Sequence, residues 1–246
     1  MRRASIAFFC LLAASLAQAQ WDQELLQLET GVATRAHLRG VEQARLGALF
    51  AFRLVKESVQ ADASWHQSFH RSDERLASLR LRHQLWSGVN DDVLEVVGAH
   101  RRFSSRVSHA AEHATEFGVR YQAAPIHGYV SSLYYARDVR RDADILEVRV
   151  DRAFALTKWG AFLNTALFVG WVDADDVSAG RPVPPTHDAY AYWGGEARLP
   201  YRVGERTMVV LAGHVGGADG ASGAWSTLAG ASRVRAGLDL SVTFDF

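Results

Sequence analysis

The chain is 246 residues long and carries 27 basic and 27 acidic side chains, so its formal net charge at pH 7 is zero. That balance leaves no basic excess for a nucleic-acid partner. Hydrophobic residues make up 48% of the chain and the mean hydropathy is −0.08, which excludes a bundle of transmembrane helices but fits a soluble domain or a membrane β-barrel.

Residues 1–19 are predicted to be a secretory signal peptide. Met1, Arg2 and Arg3 form a basic start, residues 4–16 are apolar, and residues 17–19 fit a small-residue cleavage site. The apolar stretch is shorter than the roughly 20 residues of a spanning helix. The only cysteine, Cys10, lies inside it. Residues 20–246 therefore form one predicted domain with no disulfide and no thiolate metal site.

Alternation of apolar and polar residues predicts twelve strands in that domain. Successive side chains of a strand point to opposite faces, so each predicted strand has one apolar and one polar face. The fifth strand has an ambiguous phase because Val96 and Val97 are adjacent, and the seventh is weakly patterned, so ten or fourteen strands also fit. The predicted bounds are 26–39, 45–55, 59–70, 76–86, 93–103, 113–123, 127–137, 145–156, 161–172, 189–201, 207–215 and 233–246.

The last strand has the clearest pattern. From Val234 to Phe246 every second residue is apolar, and the residues between them are polar or glycine. Ending on an aromatic residue after this alternation resembles the C-terminal assembly signal of Gram-negative outer-membrane β-barrels. The resemblance implies an antiparallel up-and-down barrel in the outer membrane, with lipid against its apolar face. It also implies recognition of Phe246 by the assembly machinery.

The lengths of the connections support a barrel over a sandwich. Connections after even strands are short, as at 56–58, 124–126 and 157–160. Long polar or glycine-rich connections, at 104–112, 173–188 and 216–230, follow odd strands. Outer-membrane barrels have short periplasmic turns and longer external loops. Three residues fit the apolar parity poorly: Gln67, His83 and Arg152. Gln67 and Arg152 are expected close to strand ends, and a bulge or a neutral imidazole would accommodate His83.

One pair of residues suggests catalysis. His66-Gln67-Ser68 resembles the His-x-Ser of outer-membrane phospholipase A and of lipid A deacylases, in which the imidazole activates the hydroxyl. Phe69 follows where those families usually have Asn, and no orienting residue is evident downstream. His66 and Ser68 also share the polar parity of their strand, which predicts that they face the interior and not the lipid. No catalytic residue is predicted.

Three further motifs have ordinary explanations. His109-Ala-Ala-Glu112-His113 matches a zinc motif that works only on a helix, and here it falls in a predicted loop. Asp173, Asp175 and Asp176 could hold calcium, but an acidic surface loop is the simpler interpretation. Gly213, Gly216, Gly217, Gly220 and Gly223 lack the βαβ context of a phosphate-binding loop and are interpreted as an external loop. No cofactor and no metal site is predicted.

The inward charges are the main functional signal. They allow a narrow polar pore with a mild preference for anions, or a lumen closed by ladders of arginine and carboxylate. The residues predicted to line the lumen are Arg35, Arg39, Arg45, Arg53, Asp62, Arg80, Arg82, Glu116, Arg120, Glu147, Arg149, Glu196, Arg198, Arg235 and Asp239.

The first two strands resemble a known family. Residues 31–40, which end in Arg39-Gly40, are followed by Gln43, Leu46 and Gly47. This stretch is similar to TorF-type porins, in which a first strand ends in Arg-Gly and a glycine-bearing second strand returns. The resemblance implies a barrel of undetermined solute preference. The leading hypothesis from the whole sequence is a porin-like barrel that passes or binds small polar solutes. The alternatives are a lipid-acting enzyme of the phospholipase or deacylase kind, a non-conducting structural or surface-interaction barrel, and a soluble periplasmic β protein.

Overall fold

The computed structural model describes residues 25–38, 41–69, 74–104, 111–140, 142–157, 161–174, 189–219 and 234–246. The predicted signal peptide and Cys10 lie outside these residues. Among the described residues, no helix is long and apolar enough to cross a membrane.

Twelve antiparallel strands form one closed barrel, which confirms the predicted strand number and fold class. Each strand pairs with its neighbours in sequence, and β1 pairs with β12 to close the sheet. The strands are β1 (Leu25–Leu38), β2 (Val41–Lys56), β3 (Val59–Ser68), β4 (Arg75–Ser87), β5 (Val93–Ser104), β6 (Ala111–Gln122), β7 (Tyr129–Asp138), β8 (Ala143–Leu156), β9 (Ala161–Ala174), β10 (Tyr190–Arg202), β11 (Thr207–Asp219) and β12 (Arg235–Asp245).

The seam between the first and last strands closes the barrel. It runs in register from Gln27 opposite Asp245 to Ala33 opposite Asp239. At its end the backbone N–H of Phe246 donates to the carbonyl of Leu26 at 2.9 Å. The last aromatic residue therefore caps the seam through its backbone while its side chain stays exposed. We call this end, which also holds the turns after even strands, the periplasmic end.

Several strands run farther at the opposite, external end than the sequence predicts. β9 continues to Ala174 and β11 to Asp219, and β6 already begins at Ala111. Gly213, Gly216 and Gly217 belong to β11, so their assignment to an external loop is wrong. The reason is that glycine here serves strand packing: the Trp193 ring lies 3.4 Å from the position that a Cβ of Gly217 would occupy.

Connection lengths differ between the two ends. Connections after even strands span two to six residues, whereas those after β9 and β11 each span fifteen. The sorting is incomplete, because the β1–β2 and β7–β8 connections lie at the external end and span two and four residues.

The outer face of the barrel is apolar along its whole circumference. Large apolar side chains are exposed on every strand, and Leu167 and Leu240 are 69% and 55% exposed. On β12 the exposed residues alternate with less exposed ones as predicted. Exposed aromatic residues cluster at the periplasmic end, as in the aromatic girdle of an outer-membrane barrel. They are Trp86, Tyr121, Tyr129, Phe162 and Tyr201.

The three residues that fit the parity poorly all lie near strand ends. The Arg152 guanidinium stacks on the rings of Tyr129 and Phe154, 4.2 and 4.6 Å from their centroids. His83 lies opposite Val59, the first residue of β3, and its Nδ1 is 3.3 Å from the Ser58 hydroxyl. A bulge follows it between Gln84 and Trp86. Each polar group can therefore reach the membrane interface, where a polar side chain on the outer face costs little free energy.

A charge placed on the outer face at mid-strand should destabilise the barrel strongly. Leu240 lies between Val32 and Leu211, in the middle of β12. Leu240→Arg should lower the free energy of unfolding by about 2–4 kcal/mol, because an arginine at the bilayer midplane costs that much. Urea titration of the protein refolded in lipid vesicles, followed by tryptophan fluorescence, measures the change.

The matched control is Val234→Arg, at the external end of β12. The same charge should cost only about 0–1 kcal/mol there, because it reaches the interface. Equal losses for the two variants would contradict the assignment of this face to lipid.

Candidate functional site: the charged interior

Asp62 joins three strands on the inner wall. It lies on β3, and its carboxylate accepts from Arg53 Nε of β2 at 2.7 Å and from Arg82 Nη2 of β4 at 3.3 Å. Gln60 Nε2 donates to both of its oxygens at 2.9 Å. Charge-assisted hydrogen bonds of this kind are stronger than neutral ones. The result is a polar chain that runs along the wall near the periplasmic end.

A second group of ion pairs reaches over intervening strands. Arg149 of β8 donates to Asp151 at 2.9 Å and, past β9, to Glu196 of β10 at 3.1 Å. Arg198 of β10 lies 3.4 Å from Glu29 of β1. These arginines follow the curvature of the wall and connect strands that share no backbone hydrogen bonds.

The external half of the interior holds more deeply buried charges. Glu116 is fully buried and pairs with Arg101, and the Tyr134 hydroxyl donates to it at 3.4 Å. The Tyr192 hydroxyl donates to Glu147 at 2.8 Å. Burying a carboxylate without partners would cost several kcal/mol, so these contacts are what make the inward position of Glu116 tolerable.

Three cavities lined by described residues lie in the interior and share parts of their walls. Their volumes are about 650, 600 and 340 Å³. Arg80 and Arg82 belong to the walls of both larger cavities. Glu29 and Arg198 line both the 650 Å³ and the 340 Å³ cavity. Phe168 and Glu196 line both the 600 Å³ and the 340 Å³ cavity. The barrel is therefore not filled by its side chains as an eight-stranded barrel is.

The walls of the two larger cavities carry more arginines than carboxylates. Four arginines and two carboxylates line the 650 Å³ cavity. Five arginines and three carboxylates line the 600 Å³ cavity. Arg80 has no carboxylate partner within the described part of the chain, although its backbone lies opposite that of Asp62. The shared wall of the two cavities thus presents an uncompensated guanidinium.

An aromatic cluster covers one side of the interior in its external half. Tyr190 and Tyr192 are 6.2 Å apart between ring centroids, and Phe168 lies 6.4 Å from Tyr192. They pack with Ile145 and Val172, both fully buried. The sequence did not lead us to predict this cluster, because we expected every residue on the inward parity to be polar. Tyr190, Tyr192 and Val172 nevertheless fall on the inward parity of their strands, and these large side chains at inward positions were the available signal.

Glycines opposite two of these rings, those of Tyr192 and Phe168, let the rings lie flat against the wall. Gly170 is the register partner of Tyr192, and Gly194 is that of Phe168. A Cβ on either glycine would overlap the ring of its partner. The rings can therefore stay against the wall and leave the centre of the barrel to the cavities.

Gly170→Ala should destabilise the barrel by about 1–3 kcal/mol, because the added methyl displaces the Tyr192 ring from a packed position. Gly98→Ala is the matched control, since a Cβ there would meet only Phe117 at an ordinary 3.9 Å. Thermal unfolding in detergent compares the two variants. A Gly170→Ala protein as stable as Gly98→Ala would show that the Tyr192 ring does not depend on this glycine.

The structure describes the side chains of twelve of the fifteen residues predicted to line the lumen. Ten of them line the cavities, while Glu116 pairs with Arg101 and Arg235 is half-buried on β12. Arg39 lies outside the described residues, and Arg35 and Arg45 are described only as backbone partners of each other. The ten are Arg53, Asp62, Arg80, Arg82, Arg120, Glu147, Arg149, Glu196, Arg198 and Asp239.

Two inward charges on β5 are absent from the predicted set. Glu95 pairs with Arg120 at 3.6 Å, and Arg101 pairs with Glu116. The adjacent Val96 and Val97 hid the phase of this strand. In the structure Val97 is buried and Val96 is exposed, so Glu95 and Arg101 share the inward parity.

The candidate catalytic pair faces away from lipid. His66 and Ser68 are buried, and His66 lines the 340 Å³ cavity. The Ser68 hydroxyl points to the carbonyl of Leu46 at 3.5 Å. A lipid-acting enzyme built on this pair is therefore inconsistent with the geometry.

The remaining motifs fall on strands or outside the described residues. Glu112 and His113 belong to β6, so they cannot adopt the helical spacing of the zinc motif, and His109 is not described. Asp173 lies on β9, whereas Asp175, Asp176, Gly220 and Gly223 are outside the described residues. Within the described part of the chain, no group of three potential metal ligands comes together.

A closed barrel with an apolar exterior and a charged, partly empty interior is a membrane architecture. The chain has the architecture of an outer-membrane-type β-barrel. No protein-family model and no curated protein matches its sequence, so the likeness of its first two strands to TorF-type porins remains a resemblance.

Solved structures with a similar fold include OmpT of Vibrio cholerae, which is 10% identical with a TM-score of 0.43 and covers 91% of this chain and 97% of that one. An outer-membrane channel of Pseudomonas putida F1 is 7% identical with a TM-score of 0.47, covering 91% and 94%. OprD of Pseudomonas aeruginosa is 10% identical with a TM-score of 0.37, covering 90% and 64%. At these identities the similarity says nothing about solutes or chemistry.

Proposed function

We propose that this barrel resides in the outer membrane of a Gram-negative bacterium and passes small polar solutes, with a preference for anions, through its charged interior. The observation that carries the proposal is the pair of large, wall-sharing cavities in which arginines outnumber carboxylates. Clusters of arginine attract anions.

The geometry of the ion pairs favours an open lumen over a closed one. The pairs described above join strands no more than three positions apart around the barrel, as Arg198 and Glu29 do. Opposite walls of a twelve-stranded barrel are six strands apart. The pairs therefore run along the wall and brace it, and the space between opposite walls is left to the cavities.

Arg80 is the residue on which the preference for anions depends most directly. It lines both larger cavities and lacks a carboxylate partner among the described residues. The neighbouring Arg82 is held by Asp62 at 3.3 Å, which reduces the positive charge that it offers to a solute.

Removing the Arg80 charge should reduce the preference for anions. In planar bilayers with a KCl gradient, Arg80→Gln should lower the chloride-to-potassium permeability ratio by up to about fivefold, because one unit charge at about 4 Å in water contributes about 1 kcal/mol. The zero-current potential measures the ratio, and single-channel recordings give the conductance.

Arg137→Gln is the matched control. Arg137 lies on the outer face of β7 and is paired with Asp142 and Asp144, so its loss removes the same charge without facing the interior. Its selectivity should equal that of the wild type. Persistent absence of conductance in folded wild-type protein would favour the non-conducting structural barrel.

The proposal includes two partners besides the solute. Lipid would contact the apolar exterior. The outer-membrane assembly machinery would recognise the alternating last strand and the exposed side chain of Phe246.

A further inference from the structure

A group of basic side chains lies on the outer face of the barrel near its external end. We call it the external basic patch and define it as His100, Arg102, His113 and Arg140. Phe103 and Arg101 are buried on the inward parity of β5, so His100 and Arg102 point outward, and both are exposed. His113 is the register partner of Arg102, and its ring centroid lies 5.6 Å from that of His100.

Arg140 completes the patch from the neighbouring connection. It is exposed in the β7–β8 turn directly after Val139, which contacts Thr115, the register partner of His100. The turn is pinned to the barrel, because the N–H of Val139 donates to the carbonyl of Thr115 at 2.9 Å. Three separate segments of the chain therefore converge on one small area of the outer surface.

The carboxylates near the patch whose side chains the structure describes have other partners. Asp142 and Asp144 are paired with Arg137 on the outer face. Asp138 is buried and accepts the backbone N–H groups of Thr115 and Arg140, both at 3.0 Å. Among the described residues, neither the Arg102 nor the Arg140 guanidinium has a carboxylate partner. The patch therefore keeps its positive charge.

The position of the patch places it at a membrane interface. Arg102 is two residues from the end of β5, and His113 is two residues from the start of β6. The outward surface below them, at Val96, Phe117 and Val119, is apolar and exposed. Elsewhere around the external end, the described outer face carries the exposed apolar side chains of Trp171, Trp193 and Val215.

We propose that the external basic patch binds the phosphate group of an anionic lipid headgroup in the outer leaflet. A guanidinium can donate two parallel hydrogen bonds to a phosphate, and Arg102 and Arg140, which have no carboxylate partner among the described residues, place two guanidinium groups on one surface. Two imidazoles lie beside them, and Nδ1 of His100 is 2.9 Å from the Thr115 hydroxyl. The apolar surface below them would contact the acyl chains of the same lipid. The proposal depends on the outward parity of these residues and not on whether the lumen conducts.

Lipid A, a glycolipid with two phosphates, is a suitable probe. Native mass spectrometry of the full chain, refolded in detergent with added lipid A, should show a bound lipid on the wild type. Arg102→Gln/Arg140→Gln should weaken that binding about 25-fold, because each basic residue at an anionic membrane surface contributes roughly fivefold. Arg140→Gln alone, in an exposed turn that tolerates substitution, should weaken it about fivefold.

Arg206→Gln is the matched control, because it removes an exposed arginine from the periplasmic turn between β10 and β11 and should leave the binding unchanged. Equal binding by the double variant and the wild type would overturn the proposal. So would a shift in Tm with inorganic phosphate equal to that with lipid A, since the patch would then be a site for free anions. Equal stabilisation by phosphatidylcholine would also overturn it. A heat-modifiable gel band verifies that each variant is folded.

Discussion

Closure of the β1–β12 seam is the constraint on which the rest of the structure depends. In hydrocarbon a backbone N–H or C=O without a partner costs several kcal/mol, so a sheet can cross a membrane only if it has no edge. The register from Gln27–Asp245 to Ala33–Asp239 satisfies both edges at once. It also locks the parity of every strand, because a slip of one residue would turn the lipid-facing side chains inward and the charges outward.

That constraint explains why the strands and their orientation could be predicted so well from the sequence. Contact with lipid requires an apolar residue at every second position of a strand. The alternation from Val234 to Phe246 follows from this requirement. The extent of the strands was harder to predict, because lipid no longer dictates residue type beyond the apolar band. Gly216 and Gly217 resemble a loop in sequence, yet they extend β11 because Trp193 packs against them.

The interior was only half predictable, for a different physical reason. Charge at an inward position identified Asp62 and Arg149, but partners across an intervening strand depend on barrel curvature and strand stagger, which the sequence does not display. Arg149 and Glu196 are 47 residues apart and meet past β9. The aromatic cluster around Tyr192 escaped prediction because inward residues were expected to be polar, although Tyr190, Tyr192 and Val172 share the inward parity. The glycines opposite Tyr192 and Phe168 were a second signal that large side chains lie there.

Arginine shows how one residue type is used in three environments of this barrel. Inside, Arg53 and Arg149 are held by carboxylates and brace the wall, whereas Arg80, where two cavities meet, has no carboxylate partner in the described part of the chain. On the periplasmic side of the outer face, Arg152 stacks on aromatic rings that remain at the interface. Near the external end, Arg102 has neither a carboxylate among the described residues nor such a ring. Arg80 and Arg102 lie on paired strands and face opposite sides of the same wall. The two proposals, of anion passage inside and of lipid-headgroup binding outside, rest on these two residues.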